Sequence, residues 1–364
     1  MRRFRIPALL GVVLSIFWLA ACTRASASWI SSNPDINPTQ GITITPTVTE
    51  PVAAALLPSP AASRTPISED GPAPVASASP TFEPVASVIP PASCSLDLCF
   101  SSTAFRFQRP IAAPGVDNIE TAYRFGSTQG GQRDPHHGVE FLNPKGWPVL
   151  AAGDGEVVVV GDDRKIFYRL YSYFYGNLVI IRHADFTAPD AISYPLYSLY
   201  GHLSEIEVEV GDHVTVGQEI GKVGMTGVAT GTHLHFEVRL GDTNYASSRN
   251  PELWLAPHAN DDDIQNGALA GRIIDKDGSY VQIESIVIRH LVAPGQGSDW
   301  ELYLRTYEEK DLIGQPPWKE SFAAGDIPPG WYEISFVKYG MQRKTVQVLP
   351  GQLTVLTIDL GQSE

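Results

Sequence analysis

The stretch GTHLHFEV, residues 231–238, carries His233 and His235 two apart in a run that otherwise reads as a buried strand. Side chains at i and i+2 of a strand project the same way, so the two imidazoles stand side by side while Leu234 and Phe236 face the other side. One histidine in such a run is ordinarily a hydrogen-bonded core residue; a same-face pair points toward metal binding or proton transfer. Two further stretches hold the same residue types. In DPHHGVEF, extended backbone puts His136, Gly138 and Glu140 on one face, with room for an ion at the glycine, and turns His137 away. In LYGHLSEI, His202 follows Gly201. These are groups that zinc takes: a catalytic zinc uses three ligands drawn from His, Asp and Glu and leaves a fourth position to water. The bound water then has its pKa brought down to about 7, so a hydroxide nucleophile exists under mild conditions.

The elements that must position these residues are strands. From about residue 104 the chain alternates short Val, Ile and aromatic runs with Gly, Asp and Asn, as in WPVLAAGDGEVVVVG, GNLVIIRHAD and HLHFEVRLG. Such runs read as strands joined by turns, and no long amphipathic helix is evident. The expected fold class is all-β: an antiparallel core carrying a groove over residues 93–257, an acidic joint over 258–267, and a small β-sandwich over 268–361. In the last module, turns at Asp277, Gly278, Pro329 and Gly330 fit hairpins.

HHGVEF, LYGHL and GMTGVATGTHLHFEV together resemble the lysostaphin/LytM-type zinc metalloendopeptidases, whose pattern is H-x-G-x-D, then a histidine in a short aromatic context, then H-L-H. The resemblance spans roughly residues 130–257. It implies an antiparallel β core with a groove, and peptidoglycan crosslinks as the substrate. It also implies zinc as the cofactor, with His136, Glu140 and His235 as metal ligands and His202 and His233 as the non-ligand catalytic pair. Glu140 departs from the pattern, standing where the family has Asp, one methylene longer. That substitution keeps a second reading open, a non-catalytic peptidoglycan-binding or hydrolase-activating module of the same fold. The C-terminal segment, with GRIIDKDG and IPPGWYEISFVKYG, resembles the carboxypeptidase regulatory-like β-sandwich.

Other residues read more plainly. Glu237 shares the face of His233 and His235 and is expected to pair with a strand neighbour, with an outer-partner or fallback-ligand role as the alternative. His183, His213 and His258 read as surface or turn residues, Asn177 as a turn residue at a strand start, and His290 stands alone. The tyrosine-rich insert DDRKIFYRLYSYFYGN borders the groove or packs internally. The run VEVGDHVTVGQEIGKVG is similar to half of a biotinyl or lipoyl barrel, but Lys222 is not in the exposed hairpin tip that attachment needs.

The 364 residues suffice for two ordinary domains plus extensions. The formal charge of −14 argues against binding nucleic acid, which requires a basic face. MRRFRIPALLGVVLSIFWLAAC has the layout of an export signal. Leu19, Ala20, Ala21 and Cys22 resemble a bacterial lipobox, implying lipidation at Cys22 and a membrane-anchored, extracytoplasmic protein; a cleaved signal or an uncleaved anchor are the alternatives. Residues 23–92 are rich in Pro, Ala, Ser and Thr and read as a semi-extended tether. Outside the cytoplasm, Cys94 and Cys99 can close a small disulfide loop.

Overall fold

The computed structural model describes residues 93–94, 98–102, 104–164, 168, 172–308, 312 and 314–362. Cys22, the signal region and the tether lie outside the described residues, as does part of the tyrosine-rich insert. Among the described residues the regular elements are all strands apart from four three-residue 3₁₀ helices, the expected all-β class.

The principal sheet has seven strands. Ser248–Arg249, Leu234–Leu240, Ser193–Leu203, Asn177–Thr187, Gly155–Asp162 and His213–Val214 lie in that order, and Val139–Phe141 also pairs with Leu234–Leu240. Every pairing in this sheet is antiparallel. Leu234–Leu240 is its most informative strand, because all seven residues are buried. Leu234, Phe236, Val238 and Leu240 enter the main apolar core with Val179, Ile181, Tyr200 and Trp254. His235, Glu237 and Arg239 therefore point to the opposite face, where period-two alternation puts them. A small three-stranded sheet of Pro148–Leu150, Glu219–Lys222 and Glu205–Ile206 flanks the main sheet.

The C-terminal module has two sheets that share one apolar cluster, including Leu269, Ile273, Ile288, Phe322, Ile334 and Ile358. One sheet holds Gly267–Ile274, Phe322–Ile327 and Leu353–Asp359; the other holds Ile286–Leu291, Ser298–Leu304, Gly330–Val337 and Met341–Val348. Two details differ from the sequence expectation. Pro329 and Gly330 do not close a hairpin, since the strands either side of them lie in different sheets; Asp277 and Gly278 do turn the chain, with an Ile274–Tyr280 bridge. Gly267–Ile274 and Leu353–Asp359, the outermost strands of the module in sequence, run parallel. Leu98–Ser101 pairs antiparallel with Leu353–Leu356, so the first described strands belong to the C-terminal sheet rather than to the domain that follows them. Cys99 is disulfide-bonded, and its register partner on the adjoining strand is Cys94.

Candidate metal centre

Strand register assembles the site. His235 lies opposite Glu140 on one side and opposite Gly201 on the other, so the carboxylate and the imidazole share a face by pairing alone. His202 follows Gly201 and takes a left-handed backbone, φ 62°, at the end of its strand. His136 comes from the loop before Val139–Phe141. His136, Glu140 and His235 each offer an atom within 4.8 Å of the others. His136 Nε2 is 3.3 Å from His235 Nδ1 and 3.8 Å from a Glu140 carboxylate oxygen. Ligands at about 2.0–2.1 Å around a tetrahedral ion stand about 3.4 Å apart, close to the His136–His235 separation and shorter than the 3.8 Å to Glu140, whose carboxylate must draw in.

The hydrogen bonds fix the ring tautomers. Carbonyl and carboxylate oxygens only accept, so the ring nitrogen facing one carries the proton. His136 Nδ1 donates to the Tyr123 carbonyl at 2.6 Å, leaving its Nε2 lone pair toward the centre. His235 Nε2 donates to a Glu237 carboxylate oxygen at 3.0 Å, leaving its Nδ1 lone pair toward the same point. Two lone pairs facing each other at 3.3 Å repel unless a cation lies between them. The donor set therefore fits a divalent ion, and the longer Glu140 side chain still reaches it.

A buried lattice supports His235 from behind. Tyr175 Oη donates to the Glu237 carboxylate, Arg239 Nε donates to its other oxygen at 2.8 Å, and Arg239 Nη2 donates to Tyr175 Oη at 2.9 Å. Burial alone would push the Glu237 carboxyl up; the Arg239 guanidinium and His235 outweigh it and hold the group well below the usual carboxylate range. Glu237 thus makes the expected ion pair, with Arg239, and also serves as outer partner to His235. It meets the far nitrogen of that ring, which excludes it as a fallback ligand.

His202 and His233 line the same cleft of about 310 Å³, together with Tyr123, His136, Glu140 and His235. Their rings meet edge to face at 4.8 Å. His202 Nδ1 donates to the Thr226 carbonyl at 2.8 Å and His233 Nδ1 to the Gly231 carbonyl at 2.9 Å, so each keeps an Nε2 lone pair. His233 Nε2 is buried with no hydrogen-bond partner and lies 3.5 Å from Glu140. Burial lowers the pKa of His136 and His202 well below the ordinary value, reinforced in both by the neighbouring His235. His233 is lowered as well, by burial, with Glu140 opposing.

The remaining sequence expectations divide. His137 does turn from the converging atoms: its ring stacks on Tyr245 at 3.5 Å and its Nδ1 contacts Ser248 Oγ at 2.8 Å. Asn177 begins its strand and donates to the Leu203 carbonyl, and His213 is exposed. His183 is not a surface residue; it is buried between the Asp154 carbonyl and Ser198 Oγ. His258 is half-buried between Asp117 and Asp326, and His290 pairs with Asp299. Phe174, from the tyrosine-rich insert, lines the cleft. Tyr123, Tyr175 and Arg239 escape sequence reasoning, since nothing local in IETAYRFG or YFYGN marks them for the site.

Residues 134–247 match the peptidase family M23. The peptidoglycan DD-endopeptidases ShyA and ShyC of Vibrio cholerae serotype O1 are 39% and 37% identical over 104 and 129 residues, or 29% and 35% of this chain. The matches span only 20% and 25% of those two relatives. The catalytic domain of lysostaphin from Staphylococcus simulans is 30% identical over 39% of this chain and 95% of that chain, with a TM-score of 0.29. The matched segment carries His136, Glu140, His202, His233 and His235, and residues 134–247 are a domain of peptidase family M23.

Proposed function

We propose that this chain is a zinc metalloendopeptidase that hydrolyses peptide crosslinks of bacterial peptidoglycan. The observation that carries the reading is the convergence of His136 Nε2, Glu140 and His235 Nδ1, with both outer ring nitrogens already engaged. His136, Glu140 and His235 would hold the ion. Bound there, zinc would polarise a scissile carbonyl and supply an activated water.

The chain's own contribution is proton management and charge. His202 and His233 each present an unprotonated Nε2 to the cleft, so one can accept the water's proton. Once protonated, that ring becomes a donor to the oxyanion or the departing amine. General acid and base assistance of this kind is worth about 10² to 10⁴ in rate. The Thr226 and Gly231 carbonyls fix the two rings in the tautomer this role needs. Glu237, anchored by Arg239 and Tyr175, holds the His235 ring in its ligating orientation, as outer partners of metal-bound histidines do.

Glu140 supports a second reading, a domain that binds peptidoglycan without cutting it. Both readings meet one experiment: zinc content of the purified protein, with release of soluble fragments from peptidoglycan, for the parent, His235→Ala and Glu140→Asp. Fragment release lost in His235→Ala supports the enzyme. Bound zinc with no release from any version supports the binding module. The proposal further includes lipidation at Cys22 and the tether over residues 23–92, tested by the mass of the N-terminal peptide and its loss in Cys22→Ser. The carboxypeptidase regulatory-like kinship of the C-terminal module belongs to the proposal as well.

A further inference from the structure

His136 is the one expected ligand that is not carried by the seven-stranded sheet. Its place is set by the arm running from Tyr123 to Thr128. The Tyr123 ring stacks on the imidazole at 4.0 Å, and the Tyr123 carbonyl accepts from Nδ1. Gly126 N donates to the His136 carbonyl at 2.7 Å, and His136 N donates to the Ser127 carbonyl at 3.0 Å. Within its own domain the arm is also tied by Tyr123 Oη donating to the Asp134 carbonyl and by Gln132 N and Arg133 N donating to the Thr128 carbonyl; its remaining partners reach into the C-terminal module. Glu308 N donates to the Gly126 carbonyl at 2.9 Å, and the Glu308 carboxylate accepts from Thr128 N. Phe125 meets the Tyr307 ring edge-on at 5.1 Å, within a buried cluster completed by Leu312. Arg124 pairs with Glu252, whose carboxylate also accepts from Gly325 N of the C-terminal sheet.

The fit is tight as well as bonded. Gly126 has φ 78°, and a Cβ there would sit 2.6 Å from the Tyr307 ring. Two backbone hydrogen bonds, Glu308 to Gly126 and Gly126 to His136, thus link the C-terminal module to a candidate ligand. An interface that merely joined two modules would have no need to end on that residue.

We propose that the C-terminal module is a positioning element of the metal centre: Tyr307 and Glu308 hold the 123–128 arm, and the arm holds His136. The metal part of this inference rests on the function proposed above, so its test includes a readout that needs no metal. In the full-length chain, hydrogen exchange followed by mass spectrometry on metal-free protein reports the arm directly. Competition against a chromogenic chelator reports the zinc dissociation constant.

Glu308→Ala is expected to speed exchange over residues 123–137 while leaving Leu234–Leu240 unchanged, and to weaken zinc binding about tenfold or more. Glu308→Gln keeps an oxygen for Thr128 N and should restore both readouts. Tyr307→Leu, which loses the ring-edge contact together with the hydroxyl's bonds to Asn250 and Glu320, should behave as Glu308→Ala does in the arm. Ile334→Val, a core trimming in the same module away from the arm, should change neither readout. Unchanged exchange in the arm of folded Glu308→Ala and Tyr307→Leu would overturn the inference. So would faster exchange with zinc affinity intact. If the parent itself takes up no zinc, the proposed function fails, and the exchange data alone decide whether the module holds the arm.

Discussion

Gly138 sits between His136 and Glu140, and a methyl group there has nowhere to go. A Cβ built at this position lies 2.5 Å from the Phe236 carbonyl oxygen and 2.8 Å from His235 Nε2. Ordinary carbon contacts begin at about 3.5 Å, so Gly138→Ala must push the backbone by about 1 Å or the His235 ring by about 0.7 Å. Neither can yield cheaply, because Phe236 is buried in the core and His235 is tied to Glu237. Overpacking of this kind costs about 1–3 kcal/mol of stability. A displacement of about 1 Å at a catalytic group costs about 10²-fold in rate. The expected outcome for Gly138→Ala is a folded protein with peptidoglycan hydrolysis reduced about 10²-fold and zinc affinity reduced with it, assayed by release of soluble fragments and by chelator competition. Gly297→Ala is the matched control: its Cβ meets open space in an exposed turn away from the site, and its activity should stay within about twofold of the parent. Full activity in Gly138→Ala, or an equal loss in Gly297→Ala, would refute the steric reasoning.

Tyr175→Phe removes the hydroxyl shared by Glu237 and Arg239. It should cost about 1–3 kcal/mol by denaturant unfolding and weaken zinc binding about 10- to 100-fold, with a smaller effect if the lattice serves stability alone. Two buried groups make stability depend on pH in opposite directions. Burial depresses His183 from 6.5 to about 4. The folded state therefore resists its protonation, and about 3 kcal/mol present above pH 6.5 is lost as pH falls through 4. Burial raises Glu320 from 4.5 to about 7, so a similar amount, about 3 kcal/mol, is present below pH 4.5 and lost as pH rises through 7. Unfolding free energies across pH 4–8 should lose the acid slope in His183→Asn and the slope between pH 4.5 and 7 in Glu320→Gln.

The shared face of His136, Glu140 and the histidine pair was legible because it follows from local rules, whereas their assignment as ligands came from the family resemblance. The i, i+2 spacing of His233 and His235 and the alternation across DPHHGVEF put the chemistry on one side of paired strands, where register then brings Glu140 beside His235. His183 was misread although the same alternation covers it: it shares a face with Val179 and Ile181, both in the core. Tyr123, Tyr175 and Arg239 were not legible as site residues, because two come from segments folded over the sheet and Arg239 is distinguished only by its partners. Nor did the sequence disclose that Leu98–Ser101 completes a sheet with a strand some 250 residues later; pairing at that separation leaves no local pattern. The C-terminal module's strands were legible from its alternating runs and turns, but its grip on residues 123–128 depends on single side chains such as Glu308, which no motif marks.

Three side chains from separate segments are proposed to bind one divalent ion. Native mass spectrometry of the zinc-loaded chain tests it most directly, with His136→Ala, Glu140→Ala and His235→Ala measured beside the parent. One zinc per parent chain is expected, with none retained by any of the three variants. A parent that takes up no zinc, or variants that keep it at full occupancy, would contradict it.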